Sequence, residues 1–282
     1  MAQVWALEVT APGKDGYALA EALGFDEITE ALAVSVFDAE PGMVMVQALY
    51  PAQTMASEAQ RVVPSSFEGR VRLLPDEDWV ALSQSGLPPI RAGRFAVFGS
   101  HDSAPEDAAF PILLDAGQAF GTGHHGTTQG CLLMLDHMQR EGFQPERILD
   151  LGTGAGILAI GAAKLFPAAD ILATDIDPVA IDVATVNAEL NDVRFDRIVA
   201  DGFDCDGLKD RRFDLVIANI LAGPLRGMAP EIANAMVPGG QAILSGILDA
   251  QAEWVSGAFE AAGLSVSPRD SIDGWTSLLA RK

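Results

Sequence analysis

The segment RILDLGTGAGILAIGAAKLF, residues 147–166, decides the fold of this chain. It begins with a short apolar run, passes through a loop with glycine at every second position, and continues as an apolar stretch rich in alanine. The first part is typical of a buried strand and the last part of a helix. A strand that turns through glycines directly into a helix predicts the start of a parallel α/β sheet.

Further apolar strands follow this segment, with helix-length connections between them. A helix is predicted over residues 178–190, where Asp177 suits the N-cap and Pro178 suits the first turn. Strands that alternate with helices predict an α/β domain with a doubly wound, mostly parallel sheet. The predicted strands are DILATD (170–175), DRIVAD (196–201), FDLVIAN (213–219) and QAILSG (241–246), followed by a closing hairpin of residues 264–268 and 275–281.

The spacing of the loop glycines indicates which class of cofactor such a sheet would bind. Gly152, Gly154 and Gly156 alternate, whereas a dinucleotide fingerprint needs its third glycine one position later, where this chain has Ile157. Ligands of open α/β sheets bind at the carboxyl ends of the strands, and glycines let them approach the backbone closely. The pattern favours a ligand without a pyrophosphate, although a tight strand-to-helix turn alone would use the same glycines.

Polar side chains end the strands that follow. Asp175 stands nineteen residues after Gly156, where a carboxylate can accept hydrogen bonds from both hydroxyls of a ribose. Asp201 could accept from an adenine amino group with Phe203 packed beside it, but a loop turn explains both residues equally well. Asn219 could accept a hydrogen bond from a substrate amine and so aim the nitrogen lone pair; the alternative is an amide satisfied by neighbouring backbone.

The stretch LLDAGQAFGTGHHGTT, residues 113–128, precedes another predicted helix. We interpret it as a loop that folds over the cofactor, with Thr128 presenting its hydroxyl; alternatively, Thr127 or Thr128 only caps the helix. His124 and His125 suggest a metal site. Adjacent histidines rarely reach one ion together, however, and no carboxylate or cysteine stands at ligand spacing, so we expect no metal.

The N-terminal part of the chain has a different pattern. Residues 1–73 are predicted to form strands and helices in the order βαββαβ, which is typical of a small α+β ferredoxin-like domain. Their first sixty residues hold nine acidic side chains and a single basic one, Lys14, and no cluster suited to catalysis. We therefore expect a substrate-recognition domain, followed by a linker with a short helix at 74–92 and a second domain at 93–282.

Composition and charge limit the partners. The chain has 282 residues, with 39 Asp and Glu against 18 Lys and Arg, which gives a net charge of −21. Such a surface repels phosphate backbones and attracts basic proteins or cationic small molecules. Two cysteines are too few for a disulfide framework, and neither a membrane-length apolar run nor a signal-peptide pattern is present. We expect a soluble, cytoplasmic monomer that binds neither nucleic acid nor membranes directly.

Several motifs together resemble the ribosomal protein L-eleven methyltransferases, the PrmA family. The combination of an AFGTG loop with an NILA tetrapeptide is highly specific. The resemblance implies a Rossmann-like, seven-stranded methyltransferase sheet and an enzyme that uses S-adenosylmethionine to methylate amino groups of one ribosomal protein, at lysine side chains and/or the N-terminal amine. The motifs are AFGTGHHGTT (119–128), ILDLGTGAGILAI (148–160), ATDIDPVAI (173–181), IANILAGPL (217–225) and SGIL (245–248).

The resemblance also implies which residues act. Asn219 is expected to position the substrate amine as well as to contact the cofactor, and no covalent intermediate or metal is required. The resemblance places S-adenosylmethionine contacts on Thr128, Gly152, Asp175 and Asn219, to which we add the loop glycine Gly154.

The sequence departs from the family pattern at two positions, and two rival hypotheses stay open. Ala116 stands where the family commonly has proline, and Gly126 replaces a bulkier residue, so the loop is less constrained but loses no contacting group. One rival is a non-catalytic or differently targeted protein of the same fold that binds another basic protein. The other is a nicotinamide-dependent oxidoreductase, which the glycine spacing disfavours.

Overall fold

A computed structural model describes residues 4–24, 31, 33–39, 42–73, 90–99, 104–105, 108–114 and 126–282 of the chain. The chain divides into two compact units, Met1–Asp78 and Trp79–Lys282, and each is described by itself. No helix in the described ranges combines the length and the apolar character needed to cross a bilayer.

The first unit is a sheet with two helices. Its elements are β1 (Trp5–Pro12), α1 (Gly13–Gly24), β2 (Ala33–Asp38), β3 (Met43–Tyr50), α2 (Gln53–Ala59) and β4 (Gly69–Leu73). These four strands pair antiparallel in the order β2-β3-β1-β4. The element order is the predicted one, βαββαβ.

The sequence MVMVQALY of β3 shows why this sheet has one buried face. Every second side chain, from Val44 to Tyr50, is buried, and the residues between them are partly exposed. This follows from the two-residue period of a strand, which points successive side chains to opposite faces. Of this set, Val46, Ala48 and Tyr50 pack with leucines of β1 and α1 into a small apolar core.

The second unit contains the sheet that the segment at 147–166 predicts. Its strands are β8 (Arg147–Leu151), β9 (Asp170–Asp175), β10 (Asp196–Val199), β11 (Phe213–Asn219), β12 (Met236–Leu248), β13 (Ser265–Ile272) and β14 (Trp275–Arg281). In the described residues these seven strands lie in the order β10-β9-β8-β11-β12-β14-β13. Strands β8 to β12 are parallel to one another, and β14 runs antiparallel to both β12 and β13. The predicted closing hairpin is therefore present.

Alternate residues of the central strands explain the helices on both faces. Leu215 and Ile217 of β11 enter one apolar core, and Val216 and Ala218 enter the other. A strand that is apolar on both faces needs a cover on each side, which is the reason for a doubly wound arrangement. One face is covered by α3 (Gly126–Arg140), α4 (Ile157–Leu165) and α5 (Pro178–Leu190), and the other by α6 (Ala222–Gly227), α7 (Ala229–Ala235) and α8 (Ala252–Ala261).

A small separate sheet precedes α3. It consists of β5 (Ile90–Ala92), β6 (Phe95–Gly99) and β7 (Phe110–Leu114), and β5 pairs antiparallel with β6. The predicted linker extends to residue 92, so its last three residues form a strand here. The short helix predicted in the linker lies outside the described residues.

Candidate active site at the carboxyl ends of the parallel strands

Gly152, Asp175 and Asn219 lie at the carboxyl ends of three neighbouring strands. Strand β8 lies between β9 and β11, and Leu151 pairs with Thr174 on one side and Ala218 on the other. The chain proceeds from β8 outward to β9 and β10 and then returns to the opposite side of β8 with β11. This reversal is the switch point at which open α/β sheets bind their ligands. The loops after the three strands therefore meet at one edge.

The glycine loop after β8 has a backbone that other residues rarely adopt. Gly152, Gly154 and Gly156 have φ angles of 74°, 53° and 86°. A Cβ on Gly152 would lie 2.3 Å from Cγ2 of Ile220, which follows β11. A Cβ on Gly156 would lie 3.0 Å from Cβ of Ala184, on α5. The glycines are therefore required both for the turn and for the close approach of two neighbouring segments.

Hydrogen bonds hold this loop to the sheet. The backbone N–H groups of Gly152 and Thr153 both donate to the carbonyl oxygen of Thr174, each at 2.8 Å. Below the loop, Oδ2 of Asp150 accepts from Oγ1 of Thr153 at 2.6 Å and from the backbone N–H of Ala159 at 3.0 Å. These bonds hold the loop in one arrangement, and a loop ordered in this way reduces the ordering cost of binding.

Asp150 is a site residue that the sequence reasoning missed. It is 1% exposed, and its Oδ1 has no hydrogen-bond partner. Burial raises the pKa of this carboxyl to about 6; the bonds from Thr153 and Ala159 lower it, and the nearby charge of Asp175 adds to the rise. An acid inside the otherwise apolar run ILDL, residues 148–151, is the signal that could have identified it.

Asp175 is partly exposed at the end of β9, as a ribose-binding carboxylate must be. Its Oδ2 accepts from the backbone N–H of Gly154 at 2.8 Å, and its Oδ1 accepts from that of Asp177 at 3.0 Å. Each carboxylate oxygen can accept more than one hydrogen bond, so capacity for a ligand remains. Asp177 itself caps α5 by accepting from Val179 N–H at 2.8 Å, and Pro178 follows, which confirms the predicted cap.

Asn219 and Thr128 are brought together although 91 residues separate them. Nδ2 of Asn219 donates to Oγ1 of Thr128 at 3.4 Å. Because the amide nitrogen is the donor, the amide oxygen keeps its lone pairs for another partner. The helix α3 already includes Gly126, so Thr127 and Thr128 lie within its first turn. The alternative interpretation, that one of them only caps the helix, is wrong, since an N-cap precedes the first helical residue.

Buried hydroxyl groups anchor the start of α3 to the sheet. Oγ of Ser245 donates to the carbonyl oxygen of Thr127 at 3.3 Å and lies 2.9 Å from Oγ of Ser277. Ser245 is paired with Asn219 across β12 and β11. A Cβ on Gly130 would lie only 2.5 Å from Oγ of Ser277, so the helix packs closely there. Sequence reasoning missed the role of both serines, although Ser245 begins the SGIL motif, because their contacts with α3 join distant segments.

Three other predicted features have different outcomes. Asp201 is exposed and its carbonyl oxygen accepts from Asp204 N–H at 3.0 Å, so it begins a turn. Phe203 is partly buried and packs with the core that α6, α7 and α8 cover. Both interpretations of this pair stay open. The loop with Ala116, His124 and His125 lies outside the described residues.

The chemistry of this edge suits a cationic nucleoside. The loop glycines have no Cβ atoms, so a ligand can approach their backbone closely. Asp175 offers partly exposed carboxylate oxygens beside the loop, and the buried Asp150 has one oxygen without a hydrogen-bond partner. The ribose hydroxyls of S-adenosylmethionine can donate hydrogen bonds to a carboxylate, and its positively charged sulfonium is attracted by negative charge. Both groups therefore suit this edge of the sheet.

Comparisons with known proteins agree with this description. The sequence model of the family "Ribosomal protein L11 methyltransferase (PrmA)" matches residues 10–282. A protein of that name from Bradyrhizobium diazoefficiens is 49% identical over 213 residues, covering 73% of this chain and 70% of the relative. Another from Brucella suis is 44% identical over 275 residues, covering 94% and 89%.

A solved structure supports the same assignment. The crystal structure of a ribosomal protein L11 methylase from Lactobacillus delbrueckii subsp. bulgaricus aligns with a TM-score of 0.60 at 33% identity, covering 69% of this chain and 98% of that chain. Its fold confirms the predicted methyltransferase-like α/β architecture, with a mixed sheet and helices. On the family match and these relatives, the chain belongs to the ribosomal protein L11 methyltransferase (PrmA) family.

Proposed function

We propose that this chain is an S-adenosylmethionine-dependent N-methyltransferase that methylates amino groups of ribosomal protein L11, at lysine side chains and/or the N-terminal amine. The single observation that carries the proposal is the Asn219–Thr128 contact beside the glycine loop. It joins two polar side chains from distant segments at the switch point of a methyltransferase-family sheet. The printed names of the relatives support the identity of the protein substrate.

The cofactor contacts in this proposal are Thr128, Gly152, Gly154, Asp175 and Asn219. Asp175 would accept hydrogen bonds from the ribose, and the loop glycines would let the methionine part lie against the backbone. The bound cofactor supplies an electrophilic methyl group on a sulfonium. We also assign the seven-stranded sheet to the methyltransferase type and the first unit to the ferredoxin-like type, with domain limits of 1–73, 74–92 and 93–282.

Alignment of the amine is the main task of the chain's own residues. Oδ1 of Asn219 accepts an N–H of the neutral amine, which aims the nitrogen lone pair towards the methyl group. Positioning of this kind can lower a barrier by up to about 7–11 kcal/mol. A lysine amine is mostly protonated at neutral pH because its ordinary pKa is about 10.4. Exclusion of water around it disfavours the charged form and so supplies the reactive one.

The charge of the chain supports a basic protein as the partner. With a net charge of −21, the enzyme attracts a basic ribosomal protein and repels free nucleic acid. We assign substrate recognition to the acidic first unit, and we place the reaction in the cytoplasm with a monomeric enzyme.

Mass spectrometry of purified ribosomal protein L11 after incubation with the enzyme and S-adenosylmethionine tests this function. We expect added methyl groups on lysine or N-terminal amines. At saturating cofactor and substrate, Asn219→Ala and Asn219→Asp should each lower the single-turnover rate at least about tenfold, which is roughly 1.4 kcal/mol of barrier. Alanine removes the acceptor, and aspartate adds a charge that holds the amine protonated.

The matched control is Asn234→Ala. Asn234 is an exposed asparagine of α7, which precedes the start of β12 and so lies at the opposite end of the strands from the site, and its loss should leave amine alignment unchanged. If the enzyme binds the cofactor but leaves L11 unmethylated, the proposal that L11 is the substrate is wrong. Wild-type rates in both Asn219 variants would contradict its role in alignment.

A further inference from the structure

Leu221 is unusually exposed to solvent for a leucine in the segment that carries Asn219. It is 57% exposed, whereas Ala222 and Leu225 are 4% and 0% exposed. Ile220, between Asn219 and Leu221, lies against the glycine loop, since its Cγ2 occupies the space that a Cβ on Gly152 would need. The chain therefore turns one apolar side chain inward over the loop and presents the next one to solvent.

Leu221 also occupies a position that favours another residue type. It is the N-cap of α6, where its side chain makes no capping hydrogen bond. Serine, threonine, aspartate and asparagine are strongly preferred there, because their side-chain oxygens accept from the free N–H groups of the first turn. An exposed leucine at an N-cap thus makes no stabilising capping hydrogen bond and exposes apolar surface to solvent. Local rules are broken in this way mainly at functional sites.

The most exposed large apolar side chains of the described residues have a shared location. Ile176 is 65% exposed and directly follows Asp175, and Leu221 is 57% exposed and lies two residues after Asn219. They follow β9 and β11, the two neighbours of β8. Ile176 therefore lies on the side of the ribose carboxylate, and Leu221 lies on the side of the amide that would hold the amine.

We propose that Leu221 is a specificity-determining residue that contacts the methylene stem of the lysine side chain being methylated. The inference rests on the proposed function and deepens it. Lysine covers apolar surface with its four methylenes and keeps its nitrogen in a polar environment. With the nitrogen at Asn219, the stem must leave the site past the residues next to Asn219, and Leu221 is the exposed apolar one. An N-terminal amine has no such stem, so this contact selects lysine.

Leu221→Ser tests the inference, because serine suits the N-cap and removes the apolar side chain. We expect cofactor affinity by calorimetry to be unchanged and the thermal midpoint to be equal or higher. The kcat/KM for methylation of lysines in L11, measured site by site by mass spectrometry, should fall about tenfold. Leu221→Met should recover most of this loss, since methionine restores an apolar side chain of similar volume.

The matched control is Leu190→Ser. Leu190 is 43% exposed at the carboxyl end of α5, away from the strand ends that form the site, so its substitution should leave lysine methylation unchanged. Wild-type lysine methylation by Leu221→Ser overturns the inference. So does a loss matched by an equal fall in cofactor affinity, or one confined to an N-terminal amine. A wild-type enzyme that transfers no methyl group to L11 contradicts the proposed function itself, and this inference with it.

Discussion

Asp150 is costly to the folded state at neutral pH. The side chain is 1% exposed, one oxygen has no hydrogen-bond partner, and no cation offsets its charge in any contact described for it. A buried charge of this kind destabilises a fold unless it is paired. Its neighbours on the packed elements, Asp175 and the buried thiol of Cys131, supply no positive charge. Burial raises the pKa of that thiol to about 12; a hydrogen bond with Ser245 lowers it, and the charge of Asp150 adds to the rise. A cationic ligand would relieve this cost.

Asp150→Asn should therefore stabilise the chain without ligand at high pH. The carboxyl has an ordinary pKa of 3.8 when unfolded and one of about 6 when folded, so the folded state binds more protons between these values. Stability of the wild-type chain then falls as pH rises from about 4 to 6. The variant lacks this loss and should gain on the order of 2 kcal/mol at about pH 8, and little at about pH 4. Urea unfolding at these pH values measures the difference.

Thr153→Val is the control for this effect. It removes the hydroxyl that donates to Oδ2 but keeps the carboxyl, so its stability should remain dependent on pH. A pH-independent difference between wild type and Asp150→Asn would show that Asp150 does not titrate in this range.

Asp175 holds the glycine loop through Gly154, and in the proposed function it also binds the cofactor. Asp175→Asn keeps one acceptor oxygen but loses the second acceptor and the charge, so cofactor affinity should fall at least about tenfold. Hydrogen bonds to charged groups contribute about 1.5–3 kcal/mol each. Calorimetric titration with S-adenosylmethionine measures the affinity. Asp177→Asn is the matched control, because asparagine caps a helix as well as aspartate does. Equal affinities of both variants would remove Asp175 from the cofactor site.

At the scale of elements, α3 is tied to the small sheet by a charged network. Asp136 of α3 is 5% exposed and accepts from Nε of Arg94, which follows β5, while Nε of Arg140 lies 3.1 Å from its Oδ2. The guanidinium of Arg94 also donates to Gln139 at 2.6 Å and lies 5.1 Å from the centre of the Phe110 ring. The helix that carries Thr128 is thereby fixed at its far end as well.

Asp136→Ala should destabilise the second unit by about 2 kcal/mol in chemical unfolding. The loss of one partner of a fully buried pair costs about 3–5 kcal/mol. The expected loss here is smaller, because the side chain of Arg94 is 29% exposed and water can replace part of the contact. Arg140→Ala removes the other, 58% exposed guanidinium and should cost less than about 0.5 kcal/mol. Equal losses in the two variants would contradict this ranking.

At the scale of the whole molecule, the two units have different proposed tasks, and both are acidic. The candidate site lies entirely in Trp79–Lys282, which also contains β5 in full. The second unit, expressed alone, should bind S-adenosylmethionine like the full chain. It should methylate L11 at least about tenfold more slowly at low substrate, because the first unit would no longer hold the protein near the site.

A short lysine peptide separates recognition from chemistry in this experiment. The peptide is too small to depend on a second recognition unit, so both forms of the protein should methylate it at the same rate. Full activity of the shorter form on intact L11 would show that the first unit is not the recognition domain.

The candidate site could be predicted in part because its signals are local. The spacing of Gly152, Gly154 and Gly156 reflects a backbone with three positive φ angles, and only neighbouring residues are needed to recognise it. The cap formed by Asp177 and Pro178 is local for the same reason. The alternative that Thr127 or Thr128 only caps α3 is wrong, because the start of a helix depends on packing as well as on local sequence, and here Oγ of Ser245 donates to the carbonyl oxygen of Thr127.

Residue order alone was sufficient for the α/β architecture and for the strands from Arg147 onward, since apolar periodicity is a property of each segment by itself, whereas β5, β6 and β7 were not predicted. The tertiary structure alone decided that β11 lies beside β8, which brings Asn219 to Thr128 across 91 residues. It also decided that Asp150 is buried with one oxygen unpartnered, and that Leu221 rather than Ile220 faces solvent. Contacts between distant segments depend on how helices and strands pack together, and periodicity within one segment carries no information about its neighbours in space.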